Sequence, residues 1–153
     1  MLAVTEVNGC ELCSYEHTKT ALEMGMSEKE IQQILTGQTD SYPVEESKAI
    51  LFAQHYADTK GNPSESTWEE LKVTYGEDKA IAILAATRVI MFGNSFGIPM
   101  SALRSRIKGE KIESSSLIYE LAMILSLIFT IPIGIIHAII EHIFKTPIVT
   151  FSN

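Results

Sequence analysis

Apolar residues recur along this chain at three- and four-residue spacing, and no stretch sustains an alternation of apolar and polar positions. That pattern predicts helices throughout and places the chain in the all-α class. Glycine and proline divide it into helix-length pieces. A short helix from Met1 to about Val7 stops at Asn8-Gly9, where Gly9 can supply a left-handed turn. A second runs to Met24 and is closed by Gly25, with Leu12, Tyr15, Thr18, Ala21 and Leu22 assigned to its inward side. Ser27-Glu28-Lys29-Glu30 fits a capping box that opens a third helix, whose Ile31, Ile34 and Leu35 face the core before Gly37 ends it.

A loop from Gln38 to Tyr42 leads to Pro43 at a helix start. Val44 to Lys60 follows, with Ile50, Leu51, Ala53 and Ala57 as its apolar positions and Gly61-Asn62-Pro63 as the stop. Ser64 can cap a helix carrying Trp68, Leu71 and Tyr75, ended by Gly76. The segment from Glu77 to Asn94 is apolar nearly all round, which suits the centre of a bundle or a subunit interface. Gly97, Pro99 and the polar stretch to Ser116 read as the weakest-packed region and as a linker.

Residues 121–140 contain no charged side chain. At about 1.5 Å per residue, such a run can cross a hydrocarbon layer of about 30 Å. Basic residues precede it and Lys145 follows, so a spanning version keeps the main domain in the cytoplasm. The alternative is a long helix, kinked at Pro132 and buried between subunits, because His137 and the Glu141-His142 pair need polar partners in lipid.

With 153 residues, 46% of them hydrophobic and 20% charged, the chain can build one domain with a substantial core. The net charge of −7, and a basic cluster limited to Arg104, Arg106, Lys108 and Lys111 without interleaved aromatics, argue against nucleic-acid binding. Two cysteines three apart do not make a secreted disulfide framework, and the start at Met1 does not read as a signal peptide. A reducing, cytosolic setting is the expectation.

Chemistry concentrates at Cys10-Glu11-Leu12-Cys13 with His17 four residues on. Helical spacing lets Cys10 and Cys13 approach each other and puts His17 one turn beyond Cys13. A thiolate is the nucleophilic form, and both a helix N-terminus and a neighbouring base favour it. The dipole argument favours Cys10 and the proton-acceptor argument favours Cys13. His17 would carry the proton of the thiol to a departing oxygen, and a sulfenic acid on one cysteine can be resolved by the other. Zinc is an alternative, with a fourth ligand drawn from His55, His137, His142 or a carboxylate. Two buried packing cysteines are another. His55 and Trp68 read as packing residues, the glutamates near helix starts as solvated charges, and His137, Glu141 and His142 as a set able to pair across a symmetric interface.

The stretch from Asn8 to Thr18, with its CxxCxxxH, followed by Ala21 to Ile31 with Gly25 and the Ser27-Glu28 helix start, resembles the core motif of the carboxymuconolactone decarboxylase and alkyl hydroperoxidase D-like family. The resemblance continues more loosely to about residue 109, including Asn94 where the last core helix closes. It implies a multi-helix bundle of the alkyl hydroperoxidase D-like type over 1–113; it does not cover the C-terminal segment, whose apolar run reads as a hydrophobic helical extension at 114–153. It also implies a homo-oligomer, trimeric or hexameric, acting as a thiol-dependent peroxidase on a hydroperoxide, recycled by a thiol or dithiol reductant, without metal or organic cofactor. Carried over, Cys13 is the peroxidatic thiol, Cys10 the resolving one and His17 the proton relay. The family relay includes a glutamate farther upstream than Met1, for which Glu6 is the candidate substitute. Leu12 stands where the hydroperoxidase has a histidine. Disulfide reduction, or a non-catalytic redox-sensing protein that oligomerises or is membrane-tethered through 121–140, is the alternative.

Overall fold

A computed structural model describes residues 1–36, 44–110, 113 and 115–151. Within them the chain forms seven helices and no strand, in agreement with the all-α expectation. The expectations for Gly37, the Gln38–Tyr42 loop, Pro43 and Lys111 lie outside the described residues.

Helix α1, Leu2–Asn8, ends at Gly9 in the left-handed region (φ 68°), a conformation that costs glycine little. Four consecutive residues of this helix, Leu2 to Thr5, are buried. Helix α2, Glu11–Glu23, has Cys10 as its N-cap, and α3, Glu28–Leu35, carries the expected capping box, with the Ser27 N–H donating to Glu30 Oε2 at 2.7 Å. Ala21, Ile31 and Ile34 join Leu2 and Ala3 in one apolar cluster.

Helix α4, Val44–Asp58, and α5, Glu65–Tyr75, build the second cluster, in which Phe52 and Tyr56 pack with Trp68 and Leu71. Trp68 is a core residue as expected, and His55 is satisfied locally, its Nε2 accepting the Ser64 N–H at 3.2 Å.

Helix α6, Glu77–Ile107, is the spine of the fold and packs against α1, α2, α4 and α5. Here the structure corrects the linker reading. Gly97 and Pro99 lie inside one continuous helix that ends at Lys108, and Pro99 is buried. Neither residue breaks the helix, because packing against the other helices outweighs local propensity, which is only a weak prior.

Helix α7, Leu117–Phe144, returns along α6. At its start the fully buried Glu120 receives two hydrogen bonds from Arg106, at 2.9 and 3.2 Å. Beyond its end, Val149 is buried in the α4–α5–α6 cluster, and Arg88 donates to the Ile148 carbonyl and the Tyr56 hydroxyl at 2.6 and 2.7 Å. Both ends of α7 are therefore fastened to the same helical body. Helices α6 and α7 are each long and apolar enough to cross a membrane. They differ in burial: the apolar stretch of α6 is partly covered by the core, whereas none of that of α7 is buried.

Candidate functional site

The thiol pair lies where α1 hands over to α2. The left-handed turn at Gly9 reverses the chain after one short helix, and the N–H groups of Gly9 and Cys10 both point to the Thr5 carbonyl, at 2.9 and 3.5 Å. Cys10 is thereby set at the N-cap of α2 with extended backbone, and Cys13 falls in the first turn. The two are joined in a disulfide. The Cys10 sulfur also accepts the Cys13 N–H at 3.3 Å, so it occupies the place that a serine or aspartate oxygen takes at an ordinary cap.

The two cysteine residues differ in exposure. Cys10 is 1% exposed, whereas Cys13 is only half-buried. Cys13 is therefore the more exposed residue of the pair, and Cys10 is the sulfur that the helix start can stabilise as a thiolate, through the dipole and the Cys13 N–H. The dipole's preference for Cys10 was legible from its place at the helix start, whereas the difference in exposure was not.

His17 is half-buried, one turn beyond Cys13 on α2. Burial holds its imidazole below the usual histidine range, assisted by the positive amino group of Met1 and opposed by Glu16. The neutral form, able to accept a proton, is favoured at pH 7. Glu6 is exposed and stands elsewhere: it shares with Cys10, Glu11, Ser14 and Tyr15 an open cleft at the α1–α2 junction. The structure thus groups Glu6 with Cys10 in that cleft and leaves His17 outside its lining.

That cleft also revises the inward side expected of α2. Only Ala21 of the five residues assigned to it is buried, Leu12 and Thr18 are half-buried, and Leu22 and Tyr15 are exposed. The helix is one short wall of a polar opening, and α3 covers only its distal end through Ala21.

Asn94 and Gly97 of α6, with Asn8 and Thr5 of α1, were not assigned to the site by sequence reasoning, and they hold it against the spine. Asn94, buried in α6, donates through Nδ2 to Asn8 Oδ1 at 3.0 Å, and its side-chain amide lies 3.3 Å from the Thr5 hydroxyl. One turn further along the same face, Gly97 abuts the disulfide: a Cβ there would overlap the Cys13 sulfur and lie 2.7 Å from that of Cys10. The available signal was a buried-type Asn and a Gly three apart inside a strongly apolar run, a spacing that puts both on one helix face.

His137, Glu141 and His142 lie toward the C-terminal end of α7 and outside the lining of the thiol cleft; His137 Nδ1 is 3.5 Å from Glu141 Oε2, and both side chains are exposed. Among the described residues no three histidine, cysteine or carboxylate side chains gather as a metal site. No protein family, curated protein or solved structure compared with the chain matches it.

Proposed function

We propose that the chain is a thiol-dependent peroxidase that cycles Cys10 and Cys13 between dithiol and disulfide. The observation that carries this reading is the pairing itself: a buried and a half-buried cysteine bonded at one helix start, with a histidine of lowered pKa one turn on. In the reduced state, His17 takes the Cys13 proton and the thiolate attacks the terminal oxygen of a hydroperoxide. The O–O bond breaks, the alcohol departs with the proton held by His17, and Cys13 becomes a sulfenic acid. Cys10 then attacks the Cys13 sulfur, water leaves and the disulfide forms. A thiol or dithiol reductant attacks Cys13, with Cys10 leaving as the capped thiolate, and a second reductant thiol then displaces the Cys13 thiolate from the mixed disulfide, restoring the pair.

The CxxCxxxH resemblance supports the same assignment, and with it an alkyl hydroperoxidase D-like bundle and a homo-oligomer; the pair of close cysteines accords with a reducing, cytoplasmic setting. Glu6, beside Cys10, is the proposed substitute for the relay glutamate. The test is hydroperoxide consumption by the full chain with a dithiol donor. Activity that disappears in Cys13→Ser supports the reading, and an inactive parent with every donor sinks it.

The uncovered apolar surface of α7 needs an environment. Because both ends of α7 are tied to the helical body, assembly of copies through its outward face accords with the cytoplasmic reading. A second reading, contact with a bilayer through 121–140, is favoured by the absence of any burial along its apolar stretch. Recovery as a defined oligomer without detergent supports assembly, and recovery only with detergent supports the bilayer.

A further inference from the structure

We propose that Gly97 is a positioning residue of the thiol site: its bare backbone forms a notch in α6 that seats the oxidised pair, so the spine helix biases the balance between disulfide and dithiol. The inference deepens the redox reading and rests on it only in requiring that Cys10 and Cys13 interconvert between the two states.

The notch is specific to this glycine. Gly97 has ordinary helical backbone, so no left-handed conformation demands glycine there, and a glycine inside a helix is less favourable than alanine. What demands it is space. A Cβ at 97 would coincide with the Cys13 sulfur and press on that of Cys10. Gly93, one turn earlier on the same helix, has nothing within 4 Å of its would-be Cβ. The seat is held in register by Asn94, which binds Asn8 and Thr5 of α1 immediately before the cysteines.

The two redox states use the notch differently. In the disulfide each sulfur is tethered to the other, and neither can turn away from α6 without moving its partner. In the dithiol the tether is gone, and half-buried Cys13 can rotate its thiol toward solvent. Filling the notch therefore penalises the disulfide more than the dithiol, and the native glycine favours the oxidised state.

The test equilibrates the full chain with reduced and oxidised dithiothreitol. In that exchange the dithiothreitol sulfurs lose two electrons and two protons and close to a ring disulfide, while the Cys10–Cys13 bond opens to two thiols. Gly97→Ala is expected to shift the equilibrium toward the dithiol by about tenfold, and Gly93→Ala by less than about twofold. A Gly97→Ala equilibrium within about twofold of the parent overturns the proposal.

Should Gly97→Ala fail to fold, the same change is made in a Cys10→Ala, Cys13→Ala background, where the sulfurs no longer occupy the notch. Unchanged thermal stability relative to that background supports the proposal, and a loss there overturns it. The equilibrium is read without turnover. A parent that never consumes peroxide yet shows the shift keeps Gly97 in its role and removes the peroxidase. An active parent indifferent to Gly97→Ala does the reverse.

Discussion

Asn94 in the middle of α6 donates to Asn8 at the end of α1 across 3.0 Å, and this bond fixes the turn that places Cys10. Asn94 is buried, so its amide has no water to fall back on when its partners are removed. Asn94→Ala leaves the Asn8 and Thr5 side chains facing an apolar wall and is expected to cost about 1–3 kcal/mol. Urea unfolding of parent and variant reads the difference directly, and an unchanged midpoint contradicts the structural role given to Asn94.

The hairpin between α6 and α7 should be acid-sensitive. Two hydrogen bonds from Arg106 hold the Glu120 carboxyl below the usual carboxylate range, against the opposing effect of its burial. A carboxylate whose pKa is lower in the folded than in the unfolded chain contributes stability that is full above the unfolded value, near pH 4.3, and is lost as pH falls through the folded one. Glu120→Gln is expected to lower the thermal midpoint at pH 7 and to flatten its decline in acid. A midpoint that falls in parallel in both chains assigns the acid sensitivity elsewhere.

His17 has a kinetic signature. Its pKa lies below the usual histidine value, chiefly because it is partly buried, so the neutral base persists into mild acid. Peroxide turnover should hold steady down to about pH 6.5 and decline below it. His17→Gln should remove that decline and lower the rate by about a hundredfold. The folding contribution has the same sign: protonation is disfavoured in the folded chain, so stability is lost as pH falls below 6.5 toward the folded value.

Where local signals were strong, the chain could be read from its sequence. The capping box at Ser27, the cap at Ser64 and the glycine stop at Gly9 are backbone chemistry confined to a few residues, and each appears where its motif placed it. The CxxC pair was equally plain, since three-residue spacing at a helix start brings the sulfurs together. Gly97 and Pro99 were misread because their propensity speaks of an isolated helix, whereas α6 is held by five others along its length. The seat at Gly97 and the Asn94 bonds connect residues more than eighty positions apart, and no local pattern announces such contacts. The same limit hid the docking of Val149 beside Phe52 and Trp68.

The central claim is that Cys13 attacks the peroxide and Cys10 resolves it. Reduced Cys10→Ser and Cys13→Ser chains, each given one equivalent of an alkyl hydroperoxide and then a sulfenic-acid trapping reagent, separate the two roles by intact mass. The account predicts trapped sulfenic acid on Cys13 in Cys10→Ser, formed with an equivalent of alcohol, and none in Cys13→Ser. Trapping on Cys10 alone, or on neither chain, would contradict it.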